Sequence, residues 1–592
     1  MFGRVAKVVR RFNGISWRGK FSDRNFVCYS LLLGGAIIKN TSLLVGLTII
    51  GRGLSAQPNV PPTINTTAST PSSVTPSSVT VAPPVNSSPA KSPTVVSKNP
   101  NANTKKFSFA VVTQKALELS KQKFDHEAQN ADPSLESLTY DDYRKVRFHK
   151  HVNLLPDTNK FRIEAQSTGF LFKKYVNLHI IDEGKDNIVA DASNVFDLSD
   201  LEVNKTSSDS IGSKLQVAGF RILYPLHPHA RRDETLVFLG ASYFRPLSAN
   251  QQFGASGRGL AIDTASEKGE EFPFFREFWI QTLPKKPDSI MLYALMDSQS
   301  MTGAYSFLVR PGDRTIMEVE AHLFPRTAIS KVGIAPLTSM FVFSEAPHDK
   351  FNDYRKEVHD SDGLLMLTGN NEWIWRPLQN PYQNGVRVTQ YVDNNPQGFG
   401  LMQRDTDYNN YLDLEARYDR RPSLWVTPQG SWGKGSVELV EISTAEETVD
   451  NIVAYWVPHN KLPVGRASLF KYKVEASATY QRHHPLGKAV RLRIGHYHDP
   501  GKPLDQRSDD RIFSVDFTDG ILSELLDEEV QGIVEARNGR VSDVRVQKDP
   551  IINGMRLWFR LSPDGEDVDL RISLHKGHLQ LTETVVYLYL NK

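Results

Sequence analysis

Beyond about residue 125 the chain is written largely in twos. Apolar and polar residues alternate in Phe161-Arg-Ile-Glu-Ala, Val176-Asn-Leu-His-Ile, Thr315-Ile-Met-Glu-Val-Glu-Ala-His-Leu and Val437-Glu-Leu-Val-Glu-Ile. That period belongs to strands with one face in a core. Ile290-Met-Leu-Tyr-Ala-Leu and Ile452-Val-Ala-Tyr-Trp are apolar runs of strand length, and Pro311-Gly312-Asp313 and Pro428-Gln429-Gly430 supply turn signals. The best helix lies earlier, over Ala110 to Phe124. There Val112, Ala116, Leu119 and Lys123 recur at helical spacing, flanked by Leu117 and Phe124. Many strands without regular strand-helix alternation predict antiparallel sheets packed face to face, an all-β fold.

The pattern also divides the chain. Arg4, Lys7, Arg10, Arg11, Arg18, Lys20 and Arg24 precede apolar runs at Val27–Ile38 and Ser42–Ile50, followed by Leu54-Ser55-Ala56. This predicts an export signal over residues 1–56, cleaved after Ala56, and hence a location outside the cytoplasm. The alternative is an uncleaved anchor over Val27–Ile50. Lys39 in its middle weighs against that, because a central Lys costs about 2.5–3.5 kcal/mol on insertion. Residues 57–105 are Pro, Ser, Thr, Asn and Val with almost no charge, a tether too poor in apolar surface to offset its ordering entropy. Residues 106–482 form the large β unit. A break at Arg482-His483-His484-Pro485 opens residues 483–592, whose roughly seven strand candidates suit a small immunoglobulin-like sandwich. No strand of one unit is expected to hydrogen-bond into a sheet of the other.

Composition narrows the function. Of 592 residues, 40% are hydrophobic and 23% charged, values of a globular chain. The formal charge of +3 is carried by the first 56 residues; without them 61 basic residues face 66 acidic ones. A weakly acidic chain without a basic block lacks the footprint for nucleic acid. The only cysteine, Cys28, falls in the signal, which removes disulfides, thiolate catalysis and Cys-type metal sites from the mature chain. Gly430-Ser-Trp-Gly433-Lys434-Gly435 has the wrong spacing for a phosphate loop, and Gly254-Ala-Ser256-Gly257 is too short for a nucleophile elbow. His227-Pro-His229 and His496-Tyr-His498 lack a third ligand in the sequence. No metal or cofactor is expected.

What stands out is a band from Leu239 to Trp456, dense in Trp, Tyr, Arg and carboxylates. Aromatic faces beside polar side chains suit sugar rings, so the band predicts a carbohydrate cleft, with core filling as the competing use of any single ring. Tyr243, Trp373, Trp375, Arg376, Arg404 and Tyr418 are its candidate substrate-binding residues.

Within and beside this band, Leu239-GASYFR-Pro246, Gly257-RGLAIDTA-Ser266, His359-DSDGL-Leu365, Asn371-EWIWRPL-Gln379, Asn395-PQGFGLMQR-Asp405 and Arg417-YDRRPSLWVTP-Gln429 form a collinear series. It resembles the osmoregulated periplasmic glucan biosynthesis protein G/D family, from about Phe107 to the C-terminus. The resemblance implies a large N-terminal β-sandwich, carbohydrate-processing and mutarotase-like, followed by a small immunoglobulin-like one. It further implies a periplasmic protein acting on the β-1,2-linked glucose backbone as an endo-β-1,2-glucanase or transglycosylase. The alternative is a non-catalytic glucan-binding scaffold working with the inner-membrane glucan synthase.

Glycoside hydrolysis calls for two carboxyl groups about the scissile oxygen. Those falling in family motifs are Asp450, in Glu446-Glu447-Thr-Val-Asp450-Asn451, assigned as general acid, and Asp360, in His359-Asp360-Ser361, as base-side carboxylate, with Glu447 and His359 in support. Glu447 is expected to raise the Asp450 pKa by like-charge repulsion. On the residues alone, a turn aspartate before Gly363 and a helix or strand cap are the ordinary readings of Asp360 and Asp450.

Overall fold

The computed structural model describes residues 96–98 and 107–591, apart from residues 150, 157–158, 183–184, 190–194, 202–209, 228–231, 346–350, 382–384, 479–483, 499–500, 502 and 504–507. The expected export signal, and the tether apart from Val96–Lys98, lie outside them. Among the described residues no helix is long and apolar enough to cross a membrane.

The fold is all-β. A ten-stranded sheet runs in the order Val386–Asn394, Lys434–Ile442, Ile452–Pro458, Val332–Ser339, Ser256–Arg258, Tyr243–Pro246, Asp233–Leu239, Val217–Tyr224 and Arg162–Ser167, with Leu260–Ile262 also pairing to Val332–Ser339. It faces a sixteen-stranded sheet, and the core between them is mainly aliphatic with a cluster of phenylalanines within it. Phe220, Phe238, Phe275, Phe278 and Phe307 meet edge to face with centroids 5.0–6.1 Å apart, the arrangement that ring quadrupoles favour. The helix forms over Phe109–Ser120 and lays Val112 and Ala116 on the outside of the larger sheet, against Trp279 and Phe324.

Burial along single strands shows where something covers a sheet's outer face. Arg314–Pro325 alternates between partly and fully buried over most of its length, as a strand with one wet face should. Val332–Ser339 is buried at every position. Its outer face therefore lies under other chain, including the loops that carry the site described below.

Residues beyond 484 supply seven longer strands. Lys488–His496, Arg511–Thr518, Gly554–Pro563 and Gly539–Asp549 form one sheet, and Gln531–Arg537, Val568–Lys576 and Thr584–Tyr589 lie opposite. Phe513, Phe517, Leu557 and Phe559 fill the space between, in one cluster with Trp373, Trp375 and Trp425 from the larger part of the chain. The expectation that the two parts share no sheet is corrected. Thr584–Tyr589 pairs in parallel with Trp373–Pro377, at Ile374↔Thr584 and Trp375↔Val585, so the sixteen-stranded sheet runs on into the C-terminal strands. The physical reason is the edge of Trp373–Pro377, whose buried N–H and C=O groups need partners.

Candidate active site

Strands Lys434–Ile442 and Ile452–Pro458 pair antiparallel up to Glu441↔Ile452 and are joined by a loop over residues 443–451. Asp450 stands where this loop returns. The residue is partly exposed, yet its Oδ2 is out of contact with solvent and has no hydrogen-bond partner among the described residues. Asp360 follows the short strand Val358–His359 and is 6% exposed. Arg421, just beyond the single turn Tyr418–Arg420, places Nε 3.1 Å from Asp360 Oδ1.

The floor of the site is the outer face of the ten-stranded sheet. Alternation puts Tyr243 and Arg245 on one face of Tyr243–Pro246, and Ser256 and Arg258 on one face of Ser256–Arg258. The pairs Arg258↔Tyr243 and Ser256↔Thr338 bring these together. Arg258, 2% exposed, donates to Glu270 Oε1 at 2.5 Å and lies over the Tyr243 ring at 5.1 Å.

Charge in this enclosure sets the carboxyl chemistry. Burial pushes the Asp450 carboxyl up to about 7; the Arg245, Arg258 and Arg421 guanidiniums pull against the rise and the Asp360 charge adds to it. Burial raises Asp360 as well, opposed by Arg421, Arg245 and His359. Glu447, expected from the sequence to raise Asp450, is not among the chief influences on it. It is held by Arg355 at 2.8 Å and accepts the Tyr418 hydroxyl at 3.1 Å, and its charge reaches Asp360 instead.

His359 supports Asp360 from within. Gln403 Nε2 donates to the carbonyls of His359 and Tyr418, so its Oε1 faces His359 Nδ1 at 3.1 Å and Nδ1 carries the proton. Nε2 lies 2.9 Å from Glu357 Oε2. Burial alone would lower the imidazole pKa, but the Asp362 and Glu357 carboxylates bring it up to about 9, so His359 is charged at neutral pH. Glu357, His359 and Asp362 place potential metal-ligating atoms within 4.8 Å of one another. The hydrogen bonding satisfies this group as an imidazolium between carboxylates.

The candidate sugar-binding residues divide. Tyr243 and Tyr418, although buried like the tryptophans, adjoin the two carboxyl groups, Tyr243 that of Asp450 and Tyr418 that of Asp360, and Arg421 lies over the Tyr418 ring at 5.1 Å. Trp373, Trp375, Arg376 and Arg404 are engaged in internal contacts. Trp373 has ring centroids of Trp425 at 5.9 Å and His484 at 4.4 Å, and Arg404 sits 3.5 Å over Trp375 while donating to Glu583 at 2.5 and 2.9 Å. Arg376, 1% exposed, binds Glu441 at 3.1 Å. These four build the joint with the C-terminal strands and the wall behind the hairpin. His227, dismissed as a metal ligand, lies 3.0 Å from Asp233 and 2.9 Å from Asn250.

Sequence reasoning missed Arg245, Arg258, Ser256 and Thr338. Their signal was polar residues two apart within otherwise apolar strands. Ser256 Oγ, Arg258 Nε, Thr338 Oγ1 and Asp450 Oδ2 are all buried without a hydrogen-bond partner among the described residues, while Asp360 Oδ1 and Arg421 Nε meet in the ion pair above. Such atoms are rare in folded proteins, and a group of them on the outer face of this sheet and in the loop beside it suits contact with a polar molecule. Chemically the arrangement offers one carboxyl able to hold a proton near neutrality, a second beside a guanidinium, and donors around both.

Over residues 107–589 the chain matches the family described as Periplasmic glucan biosynthesis protein, MdoG. It belongs to that family. It is 41% identical over 455 residues to Glucans biosynthesis protein G of Shewanella baltica (strain OS195), covering 76% of this chain and 82% of that protein. It is 38% identical over 486 residues to the Probable glucans biosynthesis protein D of Shewanella oneidensis, covering 81% and 88%. The MdoG match begins at the described helix and ends in the last strand, so it takes in both carboxylates and the C-terminal sandwich.

Proposed function

We propose that this chain is exported through its first 56 residues to the periplasm. There it acts on the β-1,2-linked glucose backbone of periplasmic glucans as an endo-glucanase or transglycosylase. The observation that carries the reading is the pair Asp450 and Asp360 in one enclosure. Asp450 keeps a proton near neutral pH because burial disfavours its anion; Asp360, 3.1 Å from Arg421, has a cation at hand when it ionises. Glycoside cleavage needs that division of roles. Asp450 would protonate the leaving oxygen, Asp360 would serve the attacking side, and Tyr243, Tyr418, Arg245 and Arg258 would hold the sugars.

The test is incubation of the purified protein with linear β-1,2-glucan, following chain length and the anomer of the product. Shortened or transferred chains, abolished in Asp450→Asn, support the reading. Binding without cleavage by the wild type would replace it with a scaffold that guides polymer from a membrane synthase.

A further inference from the structure

The residue after Asp450 does something a ladder residue does not. Pairing between Val332–Ser339 and Ile452–Pro458 stops at Ser339↔Ile452. Beyond it the Asn451 side chain continues the pattern. Its Oδ1 accepts the Phe341 N–H at 2.8 Å, and its Nδ2 donates to the Phe341 and Ile442 carbonyls at 2.9 Å each. Asn451 is fully buried. Its amide thus stands in for a backbone peptide, because only a planar group with an acceptor and two donors on one short stem meets all three partners.

The same stretch of chain holds the other carboxylate. Phe341 pairs with His359 and its ring stacks on the imidazole at 5.5 Å, while the Asp360 N–H donates to the Met340 carbonyl at 2.8 Å. Met340–Phe341 is therefore a common rail, with Asp360 hung on one side by the backbone and Asp450 on the other through Asn451.

We infer that Asn451 is a positioning residue that sets the separation of the two carboxyl groups, and that turnover depends on it although it does not touch substrate. This rests on the reading of Asp450 and Asp360 as the reacting pair. A control with the same bonding pattern lies between Trp373–Pro377 and Val386–Asn394: the partly buried Asn380 Nδ2 donates to the Val342 and Thr444 carbonyls at 3.1 and 2.7 Å, and its Oδ1 accepts the Thr444 N–H at 3.1 Å. It ties down the far end of the hairpin loop without bordering either carboxylate in sequence.

The experiment compares Asn451→Ser, Asn451→Gln, Asn380→Ser and Asp450→Asn. Both Ser variants should lose thermal stability. Asn451→Ser alone should lose turnover by roughly ten-fold or more at a KM within about two-fold of wild type, the signature of misplaced reacting groups. Independently of activity, a ¹³C-carboxyl titration should show the Asp450 midpoint falling toward the ordinary carboxylate range as its enclosure with Asp360 loosens. Wild-type turnover and an unmoved midpoint in Asn451→Ser would overturn the inference. So would equal losses in both Ser variants, or failure of both Asn451 variants to fold, which would assign Asn451 to the fold alone. If Asp450→Asn keeps turnover, the reading of the pair fails instead, and the two failures are distinguishable.

Discussion

Glu583 should behave as a buried acid-labile pin between the larger part of the chain and its C-terminal strands. Its carboxylate is wholly buried and accepts Arg404 Nη1 and Nη2 at 2.5 and 2.9 Å and the Ala489 N–H at 2.9 Å, with His484 Nε2 2.9 Å away. Burial favours its neutral form, but Arg404 and His484 outweigh burial and hold it down to about 2, against an ordinary 4.5. At about 1.36 kcal/mol per factor of ten in proton affinity, that fall corresponds to about 3 kcal/mol. Because the folded value lies below the unfolded one, this stability is present above about pH 4.5 and is lost as the pH falls toward about 2. Glu583→Gln removes the charge and leaves Arg404 buried without its partner, so it should cost about 3 kcal/mol or more at pH 7. Urea denaturation of both proteins at pH 7, 5 and 3, followed by tryptophan fluorescence, reads this through Trp373, Trp375 and Trp425 in the same joint. The wild-type advantage should shrink from pH 5 to pH 3. A cost below about 1 kcal/mol at pH 7, or an advantage independent of pH, would refute the assignment.

Asp450→Asn and Asp360→Asn should each lower turnover on β-1,2-glucan by about 10²-fold or more while glucan binding, measured by calorimetry, persists. The wild-type rate should fall as the pH rises through about 7, where Asp450 loses its proton, and this limb should move to lower pH in any Asp360→Asn variant with residual turnover. A methyl at Gly254 would lie 2.9, 3.1 and 3.2 Å from Arg421 Cδ, Cβ and Cγ; Gly254→Ala should therefore displace that side chain and reduce turnover roughly ten-fold with little change in Tm. Trp373→Ala should act on the fold rather than on the ligand, costing about 3–5 kcal/mol by urea denaturation because the ring is buried, with the glucan Kd unchanged.

How far these properties are legible in the chain differs residue by residue. Alternation such as that of Arg314–Pro325 specifies a strand and its inward face, because side chains in a strand have period two, and its recurrence along the chain is enough to specify an all-β fold. Collinear motifs carried the family and both carboxylates. The acidic loop Glu446-Glu447-Thr-Val-Asp450-Asn451 was visible, but not the groups that hold its side chains. Proximity in sequence made Glu447 the neighbour of Asp450, whereas Arg355 and Tyr418, far along the chain, draw Glu447 toward Asp360. Trp373 and Trp375 looked like sugar platforms because a tryptophan reads the same in a core and in a cleft, and only the C-terminal strands packed on them decide which it is. Periodicity specifies a face but not a neighbour. The tertiary structure alone therefore determined the pairing of Thr584–Tyr589 with Trp373–Pro377, the enclosure of Asp450 by Arg245, Arg258 and Arg421, and the bonds from Asn451 to Phe341, since each depends on which distant backbone comes to lie alongside.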